Sequence, residues 1–272
     1  MYKMVVSDFC GTLINSEEAI SVSTMLELDR IRKEGILFCI TTSKSLKIVK
    51  EYNKDFPFID YIVAFNGSYI FDVEKNEVLF DKALSSSSVK KIYKLFSDKS
   101  LSFYTLEFCN YTGLYKDKDY SEMLIDALGF IDENKKGIYK INVYAESLKE
   151  AKAIIKKLKD NNIAVNTYIV EEDEVYIVEI TNSSNDKLKA IEKIAKKNKI
   201  SMKDVLAVCS SASSCNLIEK VGCGCCVANA DKSIKKVANE FTDSNENKGV
   251  EHLINKYKIF LILLYIFSFN YY

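Results

Sequence analysis

VVSDFCGTLI, residues 5–14, decides how the rest of the chain is read. An apolar, β-branched run ends in Asp8, and Cys10, Gly11 and Thr12 follow at once. A run this short and this continuously apolar suits a strand covered on both faces, as in a parallel sheet. Three more recur: ILFCITT (36–42), YIVAF (61–65) and DVLAVC (204–209). Between the first two, SVSTMLELDRIRKEG (21–35) puts Val22, Met25, Leu26 and Ile31 at helical spacing and ends on Gly35, which suits a C-terminal cap. This rhythm predicts an α/β fold, a doubly wound and mainly parallel sheet. In such sheets ligands sit beyond the carboxyl ends of the strands. The residues to read are therefore Asp8, Thr42, Asn66 and Ser210, with Lys187 opening a later helix.

The middle of the chain has another texture. ALSSSSVK (83–90) and TNSSNDK (181–187) read as linkers, with SSSS (85–88) as a flexible hinge. Between them lie strand-like LSFYTLEFCNY, YKINVYAE, AVNTYIVEE and VYIVEIT. LKEAKAIIKKLKD (148–160) carries Ala151, Ile154, Ile155 and Leu158 on one helical face. The expectation is an α+β unit over 84–183 inserted into a core made of 1–83 and 184–257.

Composition excludes little. Hydrophobic residues make up 48% and charged residues 28%, as in a globular protein. Lys+Arg and Asp+Glu balance at 38 each, so nothing points to a nucleic-acid partner. The lysine-rich stretch 187–199 reads as a solvated face over Leu188, Ile191 and Ala195. MYKMVVSD shows no signal-peptide pattern, so a cytoplasmic setting with reduced thiols is expected for the eight cysteines. CGCC (223–226) lacks the pairing of a zinc ribbon. The apolar tail 258–272 is short for a membrane span and reads as a buried or partner-covered segment, with membrane contact as the alternative. Oligomeric state is not legible.

An aspartate, hydroxyls and a lysine converging at strand ends make a site for a phosphate ester: the carboxylate attacks phosphorus while the others hold phosphoryl oxygens. Here the chain resembles a known family. SDFCGTLI, TTSK, AFNGSYIFD, ITNSSNDKLKAI, VLAVCSSASSCNLI and CVANADKSIKKVANEFTDSNENKGV, in that order, are similar to segments of the haloacid dehalogenase superfamily, and more closely of its Cof-type phosphatases with a large inserted α/β cap. The resemblance implies that Asp8 is the nucleophile, Thr42 a phosphate-binding hydroxyl and Lys187 the lysine that neutralises the phosphoryl group. Asn66, Gly67 and Asn229 fall on further recurrent positions. It also implies Mg²⁺ as cofactor and a sugar phosphate or similar small phosphorylated metabolite as substrate, chosen by the cap.

The departures matter as much. Where the family carries a second aspartate, its general acid and base, this chain has Cys10. Where it carries the carboxylates that hold magnesium, this chain has Ser210 and Ser214. The implied metal set of Asp8, Cys10, Ser210 and Ser214 retains one carboxylate. The expectation is a preserved cleft with weak or absent turnover. The alternatives are a phosphatase with an altered metal site and a non-catalytic binding module. Cys10, Cys39, Cys209 and Cys215 also invite a soft-metal or redox cluster, against the plainer reading of cysteine as a small apolar filler. His252, the one histidine, has no catalytic partner in the pattern.

Overall fold

The computed structural model describes residues 2–52, 57–106, 109–112, 129, 131–132, 137–172 and 174–257. The expectations for the tail 258–272 lie outside the described residues. Among those described, no helix is long and apolar enough to cross a membrane.

Two sheets organise the chain. The larger has eight strands in the order β13-β12-β11-β1-β2-β3-β4-β5. Its centre is β1 (Met4–Asp8), paired in parallel with β2 (Leu37–Thr41) on one side and β11 (Val205–Cys209) on the other. Parallel pairing continues through β3 (Tyr61–Ala64) one way and β12 (Cys223–Val227) and β13 (Glu240–Thr242) the other. An antiparallel extension, β4 (Tyr69–Asp72) and β5 (Glu77–Asp81), completes it. Every residue of β1, β11 and β12 is buried, as expected of strands covered on both faces.

The smaller sheet is antiparallel, in the order β7-β6-β8-β10-β9. It consists of β6 (Leu101–Tyr104), β7 (Cys109–Thr112), β8 (Lys140–Ala145), β9 (Val165–Glu172) and β10 (Val175–Asn182). Period-two alternation gives it two unlike faces. Leu101, Phe103, Ile141, Val143, Val178 and Ile180 point into a core shared with α3 (Ser86–Leu95) and α4 (Leu148–Asp160). α4 supplies Ala151, Ile154 and Leu158, and Ser147 caps it by accepting from the Glu150 amide. The opposite face carries Lys140, Asn142, Glu179 and Thr181, all buried.

Two expectations need correction. The buried face of α1 (Val22–Lys33) is Thr24, Leu28 and Ile31, whereas Val22 and Leu26 are 67% and 65% exposed. Two apolar stripes share that helix, and spacing alone does not say which one meets the sheet. The serine run is no flexible hinge: the Ser85 hydroxyl accepts from the Ser88 amide, and Ser86 to Ser88 form the first turn of α3. The cysteine-rich 223–226 is strand. Cys225 and Cys226 fill the interior, where a Cβ on Gly224 would overlap the Ile218 carbonyl of α6 (Cys215–Lys220).

Candidate active site

Asp8 is the last residue of the central strand, so its side chain emerges where the sheet ends. The chain then turns through Phe9–Leu13, with Gly11 at φ 66, a left-handed conformation that costs glycine nothing. Asp8 is 3% exposed, and its two carboxylate oxygens are filled by donors from three other segments.

The first donor comes from register. Thr41 lies opposite Asp8 in the β1–β2 pairing, and its hydroxyl donates to Asp8 Oδ1 at 2.6 Å. The second comes from α5 (Lys187–Lys197), which Asp186 caps by accepting from the Lys189 amide at 2.8 Å. That cap sets Lys187 in the first turn, 3% exposed, with Nζ 2.7 Å from Asp8 Oδ1. A cation at a helix N-terminus opposes the helix dipole, and the adjacent carboxylate offsets that cost. The third set comes from the turn after β11. Ser214 Oγ lies 3.0 and 2.9 Å from the two Asp8 oxygens, and Ser211 Oγ lies 3.1 Å from Oδ2. The amides of Ser210 and Ser211 reach Oδ2 at 3.3 and 3.4 Å. Lys187 spends its remaining donors on Ser211 (3.3 Å) and Ser214 (3.0 Å).

Burial alone would push the Asp8 carboxyl up. The Lys187 ammonium, with hydrogen bonds from Lys187, Thr41 and Ser214, outweighs it and holds the group below its ordinary value. A depressed folded-state value contributes stability that is present above the unfolded value, near pH 4, and is lost as pH falls through the folded one. Urea midpoints measured from pH 7 down to pH 3 should therefore fall more steeply in the wild type than in Asp8→Asn.

Sequence reasoning brought together Asp8, Lys187, Ser210 and Ser214. Four other expected residues, Thr42, Asn66, Gly67 and Asn229, make their contacts elsewhere. Thr42 Oγ1 accepts from the Lys44 amide at 3.0 Å, and the hydroxyl that meets Asp8 is that of its neighbour Thr41. Asn66, left-handed at φ 53, turns from Asp8 to the smaller sheet and donates to Glu179 Oε2 at 3.0 Å. Glu179 also accepts from Lys140 at 2.9 Å. Its burial would raise its carboxyl, but Lys140, Asn66 and Ser43 together hold it low. Gly67, at φ 105, accepts from the Asn185 amide side chain and abuts the Asp186 backbone. Asn229 Nδ2 donates to the Gly11 carbonyl at 2.8 Å, bracing the loop after Asp8. Thr41 and Ser211 were missed. The register partner of Asp8 is the signal that finds Thr41, and it needs the strand alignment.

Cys10 is exposed at the mouth. Its thiol is shifted upward, first by loss of hydration among its neighbours and then by Asp8 and Glu18, against Lys44 and Lys187. A thiol so shifted stays protonated at neutral pH and serves poorly as a base. Cys39 and Cys209 are buried and pushed well above the usual thiol range by burial, and Cys215 is half-buried. His252 pairs with Asp243 at 2.7 Å in an exposed position.

The donor set does not fit Mg²⁺, which wants six oxygens including one or two carboxylates. Within the set Asp8, Cys10, Ser210 and Ser214, Asp8 alone is a carboxylate, and the Cys10 carbonyl already takes the Ser210 hydroxyl at 3.4 Å. Ser214 sits behind Asp8, bonded to Lys187. Among the described residues no group of three or more His, Cys, Asp or Glu side chains is placed to hold a metal.

Known proteins resemble the chain over most of its length. The chain is 25% identical to YxeH of Bacillus subtilis over 270 residues, covering 94% of this chain and 98% of that one. It is 22% identical over 266 residues to YitU of the same organism, a 5-amino-6-(5-phospho-D-ribitylamino)uracil phosphatase, covering 93% and 97%. Among solved structures, a haloacid dehalogenase-like hydrolase from B. subtilis superposes with TM-score 0.81 at 18% identity, covering 93% and 99%. A subclass IIB sugar phosphatase superposes with TM-score 0.78 at 16% identity, covering 94% and 99%. Residues 5–254 match the family described as haloacid dehalogenase-like hydrolase, and a match of that extent means that the chain belongs to that family.

Proposed function

We propose that this protein holds the phosphoryl group of a small phosphorylated metabolite at the Asp8 end of the large sheet, and that it turns the ester over slowly or not at all. One observation carries the reading: Asp8 and Lys187 form a buried ion pair at the carboxyl edge of a parallel sheet, with Thr41 in register beside them. In the inherited reaction Asp8 attacks phosphorus in line and the alcohol leaves with a proton. Family members generally rely on Mg²⁺ to clamp the phosphoryl oxygens, and the residues here give that ion little to hold. The attacking oxygen is already engaged by hydrogen bonds, and Cys10 stands where the acid would be. Loss of general acid catalysis alone removes roughly 10²–10⁴ in rate.

Residues 84–183 would act as the cap. Their sheet turns a polar face toward the core, and Asn66 Oδ1, Asn142 Oδ1 and Thr181 Oγ1 have no hydrogen-bond partner there. A hydroxyl-bearing metabolite admitted by cap opening would give these acceptors donors. Relatives named as phosphatases of a ribitylamino-uracil phosphate and of phosphoglycolate act on small phosphoesters, and the same class is proposed here, with no nucleic acid and a cytoplasmic setting.

The test is calorimetric titration with a panel of sugar phosphates, beside phosphate release by the wild type and by Asp8→Asn. Saturable binding is expected, with release by the wild type close to that of the variant. Rapid release that vanishes in Asp8→Asn would replace this reading with that of a working phosphatase.

A further inference from the structure

We infer that the amide and hydroxyl hydrogens of Ser210 and Ser211, together with the Lys187 ammonium, take the place of a divalent cation at Asp8 and the Cys10 carbonyl, so that the cleft binds no metal. The inference rests on the phosphoryl-binding reading above but makes a separate claim about the site.

Its basis is where the donors point. A hard cation in this cleft would draw on two outward oxygens, Asp8 Oδ2 and the Cys10 carbonyl. Both are closed by the same two-residue turn. Asp8 Oδ2 receives the Ser210 amide, the Ser211 amide and the Ser211 hydroxyl, and the Cys10 carbonyl receives the Ser210 hydroxyl. On the inner side, Oδ1 is saturated by Thr41, Lys187 and Ser214. A carboxylate has about four lone-pair sites, and this one is fully subscribed by the chain itself. The ion pair of Asp8 with Lys187 is already neutral, so an added dication would find no net negative charge there and an ammonium 2.7 Å from the same carboxylate. Loss of acidic residues would by itself leave bare acceptors. Here the replacements are donors and are aimed at the acceptors, which is the signature of a site rebuilt around hydrogen bonds.

The experiment has two arms. Electron paramagnetic resonance of Mn²⁺ with the wild type should show free ion only, up to millimolar metal. Ser210→Asp, at a half-exposed position, places a second carboxylate beside Asp8 and the Cys10 carbonyl, and should raise Mn²⁺ affinity at least about 100-fold. In the second arm, calorimetry with inorganic phosphate should give the same affinity in Mg²⁺ and in EDTA. Stoichiometric Mn²⁺ on the wild type that is lost in Asp8→Asn would overturn the inference. So would phosphate binding that tightens tenfold or more with Mg²⁺, and so would a folded Ser210→Asp with no gain in Mn²⁺ affinity. Absence of phosphate binding in both buffers would defeat the phosphoryl-binding reading instead, leaving the Mn²⁺ arm to decide this one.

Discussion

Lys187→Met will cost the protein about 3–5 kcal/mol at pH 7, the usual penalty for removing one partner of a buried ion pair. The charge left behind is the reason. Asp8 is almost wholly buried, and hydroxyl and amide donors offset only part of the loss of an ammonium at 2.7 Å. The sign of the pH dependence then reverses. In the wild type Asp8 is held low, whereas without Lys187 its burial dominates and its carboxyl rises above the unfolded value. The deficit of the variant should therefore shrink as pH falls from 7 toward 5, because a protonated Asp8 no longer needs a cation. Urea titrations at several pH values check this. The double variant Lys187→Met/Asp8→Asn should recover much of the loss, since two neutral groups in one buried site are cheaper than one stranded charge. Retention of full stability by Lys187→Met at neutral pH would mean that Asp8 is not ionised in the folded protein.

Gly67→Ala is expected to be nearly as damaging, by a steric route. Gly67 has φ 105, and a Cβ built there overlaps the Asp186 carbonyl group and lies 2.9 Å from the Asp186 Cα. Backbone cannot rotate aside as a side chain can, so strain and collision add, for a cost of about 3 kcal/mol or more. Asp186 is the cap of α5, and pushing it back withdraws Lys187 from Asp8. Gly67→Ala should therefore lower phosphate affinity as well as thermal stability. Gly35 supplies the control. It also has positive φ, 79, but a Cβ there meets nothing within 4 Å. Gly35→Ala should cost only about 1 kcal/mol and leave phosphate binding unchanged. Equal losses in the two variants would show that dihedral strain, not the contact with Asp186, is responsible.

What could be read in advance follows from which signals are local. β1, β2, β3 and β11 were legible because each is a short apolar run, and α4 because its apolar residues keep one face through Ala151, Ile154 and Leu158. Asp8 stood out as the polar residue ending such a run. Lys187 did not stand out chemically among many lysines, and only the order of motifs picked it. Thr41 escaped because in a doubly covered strand period-two alternation carries no signal, so the choice between Thr41 and Thr42 depends on pairing with Asp8. Ser211 escaped because it reaches Asp8 from a turn whose shape is set by β11 and α6. β12 was hidden by composition: cysteine and glycine are poor advertisements for a strand, yet small residues are what the close approach of α6 requires.

The central position of β1 has a consequence during synthesis. One neighbour, β2, leaves the ribosome soon after it, but the other, β11, is about 200 residues behind, and the serines that close around Asp8 lie 202 to 206 positions downstream. At ordinary elongation rates that interval is roughly 10–40 s. For that time the strand bearing Asp8 keeps an open hydrogen-bonding edge, while the antiparallel middle of the chain, whose partners are all nearer one another, has what it needs to fold. The nascent protein thus waits, with one edge of its central strand open, until about three quarters of the chain has emerged.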